Sequence, residues 1–138
     1  MLALIVVANP SPNSLSHAMA STAQRVLAER GYEIAHHDLY AEHFDPVQPT
    51  GEHKNVESIP IGLLRARLAI VINTSNTPAE REATAFGDPL EALWKNCVFG
   101  LCGVSNVMRR MYGPVSGSTA QQRAAWLSEV AALVESAA

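Results

Sequence analysis

Leu2-Ala3-Leu4-Ile5-Val6-Val7-Ala8-Asn9-Pro10-Ser11-Pro12-Asn13-Ser14-Leu15-Ser16-His17-Ala18-Met19-Ala20-Ser21 opens on a continuous apolar run, residues 2–8. The run is too short for a helix and carries the β-branched Ile5, Val6 and Val7. It reads as a parallel strand covered on both faces. Asn9 breaks it, and residues 10–16 are mostly turn formers and helix caps, with Pro10 and Pro12 barred from a β ladder. From His17 the spacing of Ala18, Ala20, Ala23, Val26 and Leu27 predicts a helix with one buried face. Ser14 or Ser16 is placed to accept from its first free N–H groups. The stretch is therefore a strand, loop and helix opening an α/β domain.

Such a loop lies beyond the carboxyl end of a strand and at the positive end of a helix, where backbone N–H groups and small hydroxyls bind anions. Ser11, Asn13, Ser14 and Ser16 supply that chemistry here. Every strand-to-helix loop shares the geometry, so an ordinary connecting loop stays open as the alternative.

The remaining composition narrows the class. A chain of 138 residues suits one compact domain. With 10 basic residues against 13 acidic and a net charge of −3, it offers no field for nucleic acid or an anionic membrane. No basic leader precedes the first strand and no apolar stretch approaches a membrane span, so a cytoplasmic location is expected. Cys97 and Cys102 match neither a redox pair nor a zinc spacing and are expected to be buried thiols.

Further along, residues 32–39 read as a second strand whose His36 and His37 point to opposite faces, which argues against a metal site. Residues 48–60 are a polar surface connection. Residues 68–72 form another apolar strand, running into a second polar loop, Asn73-Thr74-Ser75-Asn76-Thr77-Pro78. Residues 80–84 begin a helix, and Asp88 with Pro89 starts the next one as N-cap and first helical residue. Its stripe of Leu90, Leu93, Trp94, Cys97, Val98 and Leu101 predicts a core helix. Residues 104–115 read as a last strand, with Arg109 and Arg110 on opposite sides. Ser118 or Thr119 caps a final helix with Trp126, Leu127, Val130, Leu133 and Val134 facing inward.

Several of these segments resemble one family. Residues 9–18 are similar to the first loop of the flavodoxin-like NAD(P)H:quinone oxidoreductases, with Asn9 where that family places a His. Asp38-Leu39-Tyr40 with Phe44-Asp45-Pro46, the loop at 73–78, the segment 86–104 and the stretch 113–127 extend the likeness over most of the chain. The resemblance implies a flavodoxin-like three-layer α/β sandwich with a parallel sheet in a single domain, 1–138. It implies FMN or FAD as cofactor, NAD(P)H as electron donor, a quinone or similar small acceptor, and a homodimer. The flavin phosphate would lie at Asn9, Ser11, Asn13, Ser14, Leu15 and Ser16, and its ring near Asn73, Thr74, Ser75 and Asn76.

Two departures qualify that expectation. The family's aromatic-rich segment and the strand before it have no counterpart between residues 39 and 68, which predicts four strands in the order 2-1-4-5, with the first strand beside the one at Leu68. Phe86 also stands where the family often has a His, so no catalytic side chain is assigned. A shortened, flavin-free relative acting as a binding or assembly protein, or reusing the crevice for other chemistry, is the alternative. A hydrolase or transferase is disfavoured because neither Ser14 nor Ser16 sits in a Gly-x-Ser-x-Gly elbow and His17 is expected to point along its helix, poor support for a nucleophile and base pair.

Overall fold

The structure, a computed structural model, describes residues 1–47 and 64–138. The polar connection at 48–60 lies outside the described residues. The chain divides into two compact units, Met1–Asp45 with Gly117–Ala138, and Pro46–Ser116.

In the first unit, β1 (Leu2–Val7) and β2 (Glu33–Asp38) pair in parallel, with Leu2 opposite Glu33 and Val7 opposite Asp38. The crossover between them is α1 (Leu15–Glu29), which begins at Ser14 because the Ser14 side chain accepts from the His17 N–H. Gly31 follows the helix at φ 75°, the left-handed conformation that closes a helix most easily without a Cβ. The last helix of the chain, α5 (Ala120–Ala137), packs on α1. Met19 and Val26 of α1, with Val130 and Val134 of α5, are buried. Each such side chain contributes about 1.5–3 kcal/mol when fully removed from water. The inward stripe expected for the final helix therefore holds, and Thr119 caps it in a reciprocal box with Gln122.

One expectation fails in β1. Leu2, Leu4 and Val6 are 69%, 64% and 53% exposed, and only the alternate residues Ala3, Ile5 and Val7 turn inward. An apolar run identifies a strand, but the run alone does not cover both of its faces.

In the second unit, β3 (Ala69–Thr74) and β4 (Val107–Tyr112) pair in parallel, with Val71 opposite Arg109 and Asn73 opposite Met111. The strand at Leu68 starts one residue later than expected and runs two further, so Asn73 and Thr74 belong to β3. Between the strands come α2 (Ala79–Phe86), α3 (Pro89–Ala92), a π-helical segment (Leu93–Phe99) and α4 (Gly100–Cys102). The core helix expected there is corrected by this broken path. Leu90, Leu93 and Leu101 are exposed, and the π turn, which closes on the fifth residue, interrupts the 3.6-residue period of the stripe. Gly100 belongs to that geometry, since a Cβ there would stand 2.8 Å from the Lys95 carbonyl oxygen. Cys97 is exposed and Cys102 half-buried, both as free thiols, so buried structural thiols are not what forms.

Hydrogen-bonded ladders join β1 to β2 and β3 to β4. These are the two outer pairings of the expected 2-1-4-5 order.

Candidate functional site

The first loop is built by short-range hydrogen bonds. Asn9 Oδ1 accepts from the Ser11 N–H at 3.0 Å, and the Ser14 N–H donates to the Ser11 carbonyl at 3.1 Å. Asn9 Nδ2 reaches toward Ser16 Oγ at 3.5 Å. Asn9, Ser11, Ser14 and Ser16 are thus gathered in one turn, with Ser11 and Asn13 exposed. Leu15 and Ser16 form the first two positions of α1. Their N–H groups have no acceptor within a helix that starts there.

Parallel pairing places Asp38 beside Val7, at the strand end where this loop departs. From there Asp38 Oδ2 meets His17 Nε2 at 3.0 Å, and His17 Nδ1 lies 2.9 Å from Ser14 Oγ. Asp38 Oδ1 accepts from the N–H groups of Tyr40 and Ala41 at 3.1 and 3.2 Å. The hydrogen bond from His17, then the one from Ala41, hold the Asp38 carboxyl below its ordinary range against a smaller opposing effect of burial. An ionised carboxylate only accepts, so a neutral His17 carries its proton on Nε2 and leaves Nδ1 to accept from the Ser14 hydroxyl. This corrects the expectation that His17 points along the helix. The signal was present in the sequence, since residues three apart share a helix face.

The second loop, in the second unit, spends its side-chain oxygens on the protein. Asn73 Oδ1 accepts from Arg109 Nε at 3.1 Å, Ser75 Oγ from the Thr77 N–H at 2.9 Å, and Asn76 Oδ1 from the Ser116 N–H at 2.7 Å. Asn73 and Asn76 therefore present their amide N–H groups, and Ser75 its hydroxyl, as donors. The Ser75 backbone is clamped on both sides, its N–H to the Tyr112 carbonyl and its carbonyl to the Val115 N–H, each at 3.0 Å. Thr74 is fixed by pairing with Tyr112.

Behind Asn73 sits Arg109, its side chain only 3% exposed, bonded to both carboxylate oxygens of Asp88 and within 3.4 Å of Glu91. Asp88 opens α3 as expected, yet at φ 46° and without capping it by its side chain, because that carboxylate is engaged by Arg109. Lys95, and then Arg109, hold the Glu91 carboxyl below its ordinary range. Among the described residues, no group of three or more His, Cys, Asp and Glu side chains is arranged to hold a metal ion. His37 pairs instead with Glu42 at 3.0 Å.

Comparison with solved structures gives these two strand-ending loops a context. The crystal structure of Smu.1420 from Streptococcus mutans UA159 superposes with a TM-score of 0.82 at 21% identity, covering 99% of this chain and 100% of that one. An NAD(P)H:quinone oxidoreductase from Methanothermobacter marburgensis superposes with a TM-score of 0.81 at 16% identity, covering 98% of this chain and 96% of that one. The fold is that of a flavodoxin-like quinone oxidoreductase. Sequence carries the same quinone-oxidoreductase likeness over a shorter span. Rat (Rattus norvegicus) NAD(P)H dehydrogenase (quinone) 1 is 38% identical over 60 residues, 41% of this chain and 22% of the rat protein. No protein-family profile matches.

Proposed function

We propose that this protein is a flavin-dependent NAD(P)H:quinone oxidoreductase, or acts on a related small acceptor. The observation that carries the reading is the donor character of both loops. At the first, the free N–H groups of Leu15 and Ser16 and the small polar side chains of Asn9, Ser11, Asn13, Ser14 and Ser16 suit the phosphate of FMN or FAD. At the second, Asn73, Ser75 and Asn76 offer N–H and O–H groups that suit the carbonyl oxygens of a flavin ring, with Thr74 holding the strand end. The likeness to quinone oxidoreductases supports the same reading.

When bound, flavin supplies the hydride chemistry. The chain's own residues bind and orient. Arg109 fixes the Asn73 amide so that its N–H groups, rather than its oxygen, face outward. The Gly113 side of the Ser75 backbone is so close that a Cβ there would run into the Ser75 carbonyl, which holds the loop in one conformation.

In this reading residues 1–138 act as a single domain. A homodimer lends the pocket a wall where the resemblance leads to an aromatic segment that residues 39–68 do not match. Phe44 and Phe86, exposed in this chain, are suited to that interface, whereas Tyr112 is core. Among the described residues no helix is long and apolar enough to cross a membrane. Titration of the purified chain with FMN and with FAD, followed by NADH or NADPH oxidation with a quinone, tests the activity. Light scattering with and without flavin tests the dimer. Absence of binding of either flavin would overturn the enzymatic reading in favour of a flavin-free binding protein.

A further inference from the structure

We propose that Ser14 is an activated nucleophile that takes an acyl group from a small ester, with His17 as general base and Asp38 orienting the ring. This goes beyond the oxidoreductase reading and is a second use of the same loop, open to the chain when no flavin phosphate occupies the N–H groups of Leu15 and Ser16. Three relationships within one unit carry it. Ser14 Oγ lies 2.9 Å from His17 Nδ1, inside the distance at which an imidazole takes a hydroxyl proton. His17 Nε2 lies 3.0 Å from Asp38 Oδ2, which fixes the tautomer that leaves Nδ1 basic. The N–H of Leu15, the residue after Ser14, and that of Ser16 lie unclaimed at the start of α1, where an oxyanion formed at Ser14 would be stabilised.

The ring is used in the opposite sense from the usual triad, with Nδ1 toward the nucleophile. That follows from the three-residue spacing, which lets the nearer ring nitrogen reach back one turn while Nε2 extends to β2. Such constellations are defined by geometry and role rather than by position in the chain. Ser14 also accepts the His17 N–H as helix cap, at 3.3 Å, and a hydroxyl oxygen has two lone pairs, so one remains for attack. The side chains of His17 and Asp38 are 16% and 23% exposed, which shields the pair while Ser11, Pro12 and Asn13 beside Ser14 are open to solvent. An open approach of this kind suits a short acyl group rather than a long chain.

The steps balance with water alone. Ser14 Oγ bonds to the ester carbonyl carbon as its proton passes to His17 Nδ1. The ester C–O bond then breaks, and the departing alkoxide takes that proton and leaves as the alcohol. Water next attacks the acyl-Ser14 carbonyl and gives its proton to His17 Nδ1. The acid departs as the proton returns to Ser14 Oγ. Asp38 stays ionised throughout.

The test is covalent labelling of the full chain, without flavin, by a fluorophosphonate, read by intact mass and peptide mapping. One adduct on Ser14 is expected, together with turnover of p-nitrophenyl acetate. His17→Gln should label on the order of 100-fold more slowly, the lower end of what a positioned base contributes. Asp38→Asn should slow labelling while leaving its site unchanged, and circular dichroism confirms that each variant is folded. No adduct on the folded wild-type chain, an adduct elsewhere, or an undiminished rate in His17→Gln would overturn the proposal. Flavin titration is a separate measurement, so the two readings fail independently.

Discussion

Arg109 Nη1 stands 2.8 Å from one carboxylate oxygen of Asp88 and 2.9 Å from the other, and the same guanidinium donates through Nε to Asn73. A nearly buried cation is thereby neutralised at the one place where β3 ends, and the second loop inherits its orientation. Among the described residues Arg109 Nη2 has no partner, so the cluster is satisfied mainly through Nη1 and Nε. Arg109→Ala is expected to cost about 3 kcal/mol, because it empties a buried site and removes the hydrogen bonds that tie Asp88 and Asn73 together. Asp88→Asn should cost less, about 1–2 kcal/mol, since Glu91 and Asn73 still hold the guanidinium. Urea denaturation of both variants checks the order, and a larger loss in Asp88→Asn would contradict it.

Ser14→Asp is expected to weaken FMN or FAD binding on the order of 100-fold, about 2.7 kcal/mol, while the protein stays folded. A carboxylate repels a bound phosphate, yet Asp is as good a helix cap as Ser and suits the positive end of α1. Fluorescence titration measures the affinity. An unchanged value would place the phosphate away from this loop.

Asp38 makes stability depend on pH with a defined sign. Its carboxyl is depressed in the folded chain, chiefly by the His17 hydrogen bond and next by the Ala41 N–H. The stability it contributes is fully present above its unfolded pKa and is lost as pH falls from there through the folded value. Wild type should therefore lose more stability than Asp38→Asn below the ordinary carboxylate range. Glu91, depressed by Lys95 and Arg109, keeps part of the acid dependence in both proteins. Identical urea midpoints against pH for the two would refute the assignment.

Gly113→Ala should displace the loop at 73–76, because a Cβ at that position meets the Ser75 carbonyl, a backbone atom with little room to move. A loss of about 1–3 kcal/mol is expected, the usual penalty for overpacking, and flavin affinity should fall with it. An unchanged melting temperature and affinity would show that the loop tolerates the shift.

Thr119→Ala removes one half of the capping box, in which Thr119 Oγ1 accepts from the Gln122 N–H at 3.1 Å and Gln122 Oε1 accepts from the Thr119 N–H at 2.8 Å. About 1 kcal/mol is expected. Thermal unfolding followed by circular dichroism reads it directly.

The sequence by itself determined the elements that rest on local physics. The apolar runs around Ile5 and Ile70 are strands, Ser14 or Ser16 and Ser118 or Thr119 are caps, and Val130 and Val134 face inward, because each depends on neighbours within a turn or two. It also marked both polar loops, although β3 continues through Asn73 and Thr74 before the second one begins. What only the tertiary structure decided were the partners across the chain. Asp38 reaches His17 because parallel pairing sets it beside Val7, and Arg109 reaches Asn73 because β4 lies beside β3 in a register that no local pattern encodes. The outer face of β1 and the π-helical path from Leu93 to Phe99 belong to the same class. Apolar content shows that a side chain favours burial, but whether it is covered depends on which surface arrives opposite it, and a π turn shifts the helical period from which a stripe is read.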